Sequence, residues 1–435
     1  MAQDPPLFTV FTATHDPSYL SETYHSMITQ TFSSWEWVIV ANRGATIPSE
    51  IQRDEKVRVL NLDPTEHFGV GKLKRIACYL AKGEFLVEVD HDDLLDQNAL
   101  RVVYEAAVET GADFLYSNHS NFLEQGDFQY YYEEYGWVNY RTTLNDTEVL
   151  AIRAFPITPS SLDSILYAPN HIRVWRTSVY LAIEGHDESL LVGDDYDLIC
   201  RTYLSGAKFQ HIDQCLYSYR VHQDGTNTHL VLNKEVQEQN TALSELYRER
   251  IITEWARREQ LPMIDLGGAF NCPAGFTSVD VKGADICCDI RSGLPFEDNS
   301  VACVRACDFL QYLAPCPSIH CNHGADGDPL CTVGLMNEIY RILVPGGWFI
   351  SRTPSTDGRG AFQNPQYASL WNQNSFWYYT RADHAQYLHA VEARFQAKQL
   401  TQGYPSEWHE QHNMLYVYAD LVALKGQREP GVSEI

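Results

Sequence analysis

Basic residues are scarce in this chain: 32 lysines and arginines stand against 57 aspartates and glutamates, a formal net charge of -25 at pH 7. Binding nucleic acid or an anionic membrane surface needs the opposite balance, so neither is expected. Also missing are an apolar run long enough to cross a bilayer and a signal-peptide pattern at the amino terminus. Their absence predicts a soluble, cytoplasmic protein with no transmembrane segment. Paired cysteine spacing is absent too, and eleven cysteines, an odd number, read as reduced thiols rather than a disulfide framework. What is abundant is apolar content, at 44%, which supports folded domains, and 435 residues exceed what one core holds, so two domains are expected.

The most informative stretch runs from Gly83 to Asp93, where the apolar Phe85-Leu86-Val87-Glu88-Val89 breaks into Asp90-His91-Asp92-Asp93. It reads as a buried strand of a parallel sheet delivering acid at its carboxyl end, where ligands of open α/β sheets bind. Side chains two apart on an extended chain point the same way, so Asp90 and Asp92 can face one site. Two such carboxylates suit Mg²⁺ or Mn²⁺, whose remaining ligands are usually water and substrate phosphates. The competing reading is an acidic loop in which Asp96 caps the helix through Ala99, Leu100 and Val103.

Upstream, Leu7 to Phe11 is a strand ending in Thr12-Ala13-Thr14, followed by a helix through Tyr24, Met27 and Ile28. Trp35 to Val40 is a second strand, ending near Asn42, and Val57 to Leu60 a third. Strands alternating with helices predict a doubly wound parallel sheet. Gly69-Val70-Gly71 opens a helix carrying Lys74 and Arg75, which could meet phosphate or simply face solvent.

In this order, Thr12-Ala13-Thr14, Gln30-Thr31, Trp35-Glu36-Trp37-Val38, Gly69-Val70-Gly71 with Lys74, Gly83-Glu84 and Asp90-His91-Asp92-Asp93 resemble the GT-A nucleotide-sugar domain of glycosyltransferase family 2. Pro169-Asn170-His171 with Arg173, Glu184-Gly185-His186-Asp187, Gly193-Asp194-Asp195-Tyr196-Asp197-Leu198 and Tyr217-Ser218-Tyr219-Arg220-Val221-His222 are similar to its acceptor side. The resemblance covers about residues 5–230, and the domain is placed at 1–229. It implies an inverting, metal-dependent transfer from a nucleotide-diphospho-sugar to a hydroxyl of a glycan or other acceptor. A UDP-sugar is the first expectation, with dTDP- and GDP-sugars as alternatives. The donor would meet Thr12, Ala13, Asn42, Lys74, Asp90, His91 and Asp92. Asp92, Asp90 and His222 would hold the metal, although a lone histidine is more often a satisfied structural group. Asp195 matches the family's second acidic residue and would be the general base, with Asp194 and Arg173 on the acceptor side. Asp194 also reads as a helix N-cap with Asp195 and Asp197 as favourable first-turn charges.

Tyr130, Tyr131, Tyr132, Tyr135, Trp137 and Tyr140 crowd one segment. Aromatic faces suit sugars, so Trp137 is a candidate acceptor wall; rings packed on the sheet are the alternative.

From 230 to 260 apolar residues recur at helical spacing, including Leu243, Tyr247, Ile251 and Trp255, giving an amphipathic connector. Beyond it, the strands at Met263–Leu266, Ser278–Asp280 and Ala284–Cys288, with Pro345-Gly346-Gly347, resemble the Rossmann-like class I S-adenosylmethionine-dependent methyltransferase fold, here assigned to 261–435. By that resemblance Gly267 adjoins the cofactor, Asp280 takes the ribose hydroxyls and Asp289 lies near the adenine. The pattern is eroded: the glycine turn reads Gly267-Gly268-Ala269, Leu-Glu-His reads Leu310-Gln311-Tyr312, and Asn364-Pro365-Gln366-Tyr367 stands where related fusions carry Asp-Pro-Thr-His. An inactive domain kept for packing, homodimer formation or acceptor binding is therefore expected, with a sugar O-methyltransferase as the alternative. Cys307, Cys316, His320, Cys321, His323 and Cys331 have zinc-ligand chemistry without knuckle spacing.

Overall fold

The computed structural model describes residues 5–66, 68–123, 136–165, 169–222, 227, 231–316 and 329–426. They form two compact units, Met1–Ile251 and Ile252–Ile435, each built on one sheet. Among the described residues no helix is long and apolar enough to cross a membrane.

In the first unit β1 (Phe8–Thr14), β2 (Trp35–Ala41), β3 (Val57–Asn61) and β4 (Phe85–Glu88) pair in parallel, in the order β3-β2-β1-β4. All of β2 and β4 and nearly all of β1 are buried, because helices cover a parallel sheet on both faces. Helix Ala99–Thr110 shows how: Leu100, Val103 and Ala107 recur every three or four residues and go into the core.

The sheet is not purely parallel, contrary to the expectation from sequence. β9 (Arg173–Arg176) pairs antiparallel with β4 on one side and with β6 (Phe114–Leu123) on the other. β10 (Phe209–Val221) runs parallel to β6 and antiparallel to the short β5 (Leu94–Leu95). The hairpin of β7 (Asn139–Leu144) and β8 (Thr147–Ile152) attaches to β6. Nothing in Arg-Val-Trp-Arg encodes direction, which is set by where the preceding chain brings the strand in.

The second unit orders its strands β13-β12-β11-β14-β15-β17-β16. They are β11 (Met263–Leu266), β12 (Thr277–Asp280), β13 (Ile286–Cys287), β14 (Val301–Cys307), β15 (Leu343–Pro354), β16 (Phe395–Gly403) and β17 (Tyr416–Ala423). The first five are parallel, and β17 lies antiparallel between β15 and β16. Counted within the unit, the parallel part has the 3-2-1-4-5 order of doubly wound nucleotide folds, with its switch point between β11 and β14.

The expected connector forms one helix, Asn233–Glu259, and both units use it. Leu243, Tyr247 and Ile251 are buried in its first part, whereas Ile252 and Ala256 join Met263 and Trp348 in a core cluster of the second unit.

Gly83 enters β4 where no side chain fits: a Cβ there would stand 2.5 Å from the Thr9 amide nitrogen and 2.7 Å from the Phe8 carbonyl carbon. Backbone cannot yield as a side-chain tip can. Gly83→Ala is expected to destabilise the first unit by about 3 kcal/mol, read as a lower denaturant midpoint at unchanged slope.

Candidate active site

The site is built where β4 stops. Glu88 is fully buried, so its charge needs partners brought in from other elements. Helix Val70–Tyr79 supplies Lys74, whose ammonium contacts Glu88 Oε1 and lies 3.7 Å from Asp90 Oδ1. Directly across the β4–β9 ladder stands Arg173, whose Nη1 is 3.4 Å from Glu88 Oε2. His171 Nε2 lies 3.9 Å from Glu88 and 3.6 Å from Asp90, its ring stacked on Tyr217 at 4.8 Å between centroids. Burial opposes ionisation of Glu88, but Lys74 and Arg173 outweigh it and hold the carboxyl well below its usual range. Burial likewise opposes the Lys74 charge, and Glu88 with Asp90 overcomes that, so the amine stays protonated.

β4 ends at Glu88 and the chain turns at His91–Asp92. The two-residue alternation that was to aim Asp90 and Asp92 at one point therefore does not apply, and three acids meet three environments. Asp90 belongs to the Lys74 and His171 cluster, and its carboxyl is lowered by those neighbours against the effect of burial. Asp92 stays partly open and meets His222, Nε2 to Oδ2 at 2.7 Å. Asp93 is fully enclosed, accepting from the Arg220 amide and the Tyr217 hydroxyl, each at 2.7 Å, and burial beside Asp92 and Asp90 raises its carboxyl well above the usual range.

Of the expected metal set, the structure brings Asp92 and His222 together and puts Asp90 elsewhere. A different trio of acid and imidazole atoms, from Glu88, Asp90 and His171, lies within 4.8 Å of one another. A cation there would compete with the Lys74 ammonium, which already contacts Glu88 and lies 3.7 Å from Asp90. Asp92 and His222, an oxygen and an imidazole nitrogen, form no ion pair with a lysine or arginine among the described residues and suit Mn²⁺ or Mg²⁺ better.

Helix Asp194–Leu204 carries the second acidic group. Its N-cap is Gly193 at φ 75°, not Asp194, and the Asn240 amide fills the place a Cβ would take, 2.3 Å away. Asp194 is thereby turned inward against Gly71, where a Cβ would meet it at 3.0 Å. Only 4% exposed, with Oδ2 lacking a hydrogen-bond partner, it cannot touch an acceptor, which corrects its expected place. Burial pushes its carboxyl up to about 7. The facing His186, whose Nε2 is 4.0 Å from Oδ2, is pushed down to about 3 by burial and is neutral. Asp195 is the open one, with 29% of its side chain exposed; it accepts from the Tyr196 amide at 2.8 Å and from Arg173 at 2.9 Å.

Other expected residues meet mixed outcomes. The Thr12 hydroxyl is used inside the sheet, donating to the Val89 carbonyl at 2.6 Å and accepting from Trp37 at 2.9 Å, so only its backbone is left for a donor. Ala13 follows it, half-buried. Lys74 is an ion-pair partner rather than a free phosphate ligand, and Arg173, 2% exposed, is closed to any acceptor. Asn42 is buried with Oδ1 unpartnered, which suits a ligand N–H. The His91 carbonyl accepts from Thr23 at 3.0 Å. Trp137 packs on Phe155, a residue beyond the end of β8, at 4.4 Å between ring centroids. Tyr130, Tyr131, Tyr132 and Tyr135, with His320, Cys321 and His323 of the cysteine–histidine loop, lie outside the described residues. Cys331 accepts from the Gly334 amide as a helix cap. Glu88 was not foreseen as a site residue, although an acid inside an apolar strand was the available signal, and His171 was expected only as part of an acceptor-side motif.

In the second unit Gly267 sits at φ 78° after β11, and the Phe309 ring stands 2.6 Å from where its Cβ would be. That ring comes from the end of β14, so it fills the switch-point side of the glycine turn. Asp280 accepts from the Val281 amide at 2.6 Å. Asp289 caps the turn Ile290–Ser292 and pairs with Arg291 at 2.7 Å.

A mixed α/β sheet with acids gathered beyond its parallel strands is the arrangement of a GT-A-like domain. Residues 9–162 match the family model described as Glycosyl transferase family 2. Glycosyltransferase GlyG of Streptococcus pneumoniae is 29% identical over 119 residues, 26% of this chain and 39% of the relative. Glycosyltransferase GlyA of the same organism is 27% identical over 216 residues, 47% of this chain and 29% of the relative. The chain thus spans well under half the length of these curated relatives. Among solved structures, S. aureus TarS 1–349 in complex with UDP is 21% identical, with a TM-score of 0.41 over 57% of this chain and 70% of that one.

The Asp194 environment has a pH signature. Because its folded value, about 7, lies above the ordinary carboxylate value, the native state holds a proton that the unfolded chain has lost, so this group's stabilisation fades as pH rises from about 4 to about 7. Asp194→Asn keeps the shape without the ionisation. The variant's stability relative to wild type is expected to rise across that window and level off above it, measured by chemical denaturation at successive pH values.

Proposed function

We propose that the chain is a metal-dependent inverting glycosyltransferase acting on a nucleotide-diphospho-sugar, a UDP-sugar first, and a hydroxyl acceptor. One observation carries the reading: of the acids beyond β4 and at the head of helix Asp194–Leu204, Asp93 and Asp194 are sealed, whereas Asp90, Asp92 and Asp195 stay reachable, with 31%, 15% and 29% of their side chains exposed, and Asp90 is the one held beside Lys74 and His171. Asp92 and His222 would hold Mn²⁺ or Mg²⁺, which when bound neutralises charge gathering on the departing diphosphate. Asn42 offers its unpartnered carbonyl to a pyrimidine N–H. Asp195 takes the acceptor's proton as the hydroxyl attacks the anomeric carbon opposite the leaving group, which inverts the centre.

For the second unit we propose a methyltransferase-like fold that has lost its cofactor. The 3-2-1-4-5 order supports the ancestry, and the Phe309 ring on Gly267 supports the loss, because it occupies ground a cofactor needs next to the backbone.

The test is Mn²⁺-dependent hydrolysis and binding across a panel of UDP-, dTDP- and GDP-sugars. Asp92→Ala should abolish metal-dependent nucleotide binding while the melting transition persists; wild-type nucleotide affinity that is unchanged in chelator would sink the metal role. Calorimetry with S-adenosylmethionine should show no micromolar binding, and Phe309→Ala is the variant in which weak binding would return if the ring is the obstacle.

A further inference from the structure

Arg173 is one of the largest fully enclosed side chains of the protein. Register places it across from Glu88 in the β4–β9 ladder, so the two share one face of the sheet. Its Nε donates to the Pro169 carbonyl at 2.8 Å, and its Nη1 donates to Asp195 Oδ2 at 2.9 Å and lies 3.4 Å from Glu88 Oε2. The other Asp195 oxygen accepts from the Tyr196 amide at 2.8 Å. One carboxylate is therefore gripped from two rigid elements, its own helix and a central strand, while part of it stays open to solvent. A planar guanidinium can hold Pro169, Glu88 and Asp195 together; a lysine ammonium, a point donor on a flexible stem, cannot.

We propose that Arg173 is a positioning residue for Asp195, with Glu88 anchoring the guanidinium. Closed to an acceptor, Arg173 acts only by fixing where the carboxylate meets the incoming hydroxyl. Through Lys74, which contacts Glu88 and lies 3.7 Å from Asp90, the same chain of charges reaches the donor-side acids, so the base and the end of β4 are held in one frame. The inference rests on reading Asp195 as the general base.

The experiment uses the full chain and Mn²⁺-dependent hydrolysis of the sugar-nucleotide panel, with water standing in for the acceptor. Four proteins are compared: wild type, Asp195→Asn, Arg173→Lys and the double variant. Asp195→Asn should lower kcat by a factor on the order of a hundred to ten thousand. Arg173→Lys should lower kcat on the order of a hundredfold, with donor KM within about twofold of wild type. In the Asp195→Asn background the same lysine should change the residual rate by less than about twofold, since there is no carboxylate left to position. A merely structural role would give equal losses in both backgrounds, and that result overturns the positioning role while leaving the base in place. Wild-type turnover in Asp195→Asn removes the base assignment and the proposal with it. Should Arg173→Lys lack a cooperative melting transition, Glu88→Gln decides by the same comparison: a kcat loss confined to the Asp195 background supports the anchor, and equal losses overturn it.

Discussion

Glu88 is the constraint from which the first unit's site follows. A carboxylate enclosed at the end of a central strand is tolerated only if cations are enclosed with it, and removing one partner of such a pair typically costs about 3–5 kcal/mol. Lys74 comes from the helix before the strand and Arg173 from the strand beside it, so the ion cluster ties together elements far apart in sequence. The cluster also explains why neither cation is a surface ligand. Both are committed to making the sheet's acidic end stable, and their reach to Asp90 and Asp195 is what turns a structural ion group into the foundation of a site.

Acids of one type differ here because of what surrounds them. Asp93 and Asp194 are buried and raised, Asp90 is partly open but lies beside Lys74 and His171 and is lowered, and Asp92 and Asp195 are partly open with other partners. Under the proposed function, such a spread of environments would let one acidic cluster divide the work of binding charge and accepting a proton. The division is geometric first: the turn at His91–Asp92 separates Asp90 from Asp92, and the left-handed Gly193 rotates Asp194 inward and Asp195 outward.

The parallel part of the second unit has the strand order 3-2-1-4-5, and the Phe309 ring fills the place beside its glycine turn. Asp265, buried at the end of β11, is paired with Arg305 from the neighbouring strand at 2.9 Å, and Asp289 with Arg291. Both acids are thus paired with arginines of their own unit.

The amino-acid sequence by itself determined the element types, the acidic strand end, the resemblance to family 2 glycosyltransferases and the break into a second α/β unit. Those properties are local or compositional: apolar periodicity, glycine turns and the order of short motifs along the chain. Only the tertiary structure decided that β9 enters antiparallel, that Lys74 and Arg173 are ion partners of Glu88, that Thr12 closes on Trp37, and that Asp194 rather than Asp195 is sealed. Each of these depends on which distant residue lies opposite in the folded sheet. Desolvation and charge pairing act across space, between residues such as 88 and 173 that sequence order keeps far apart.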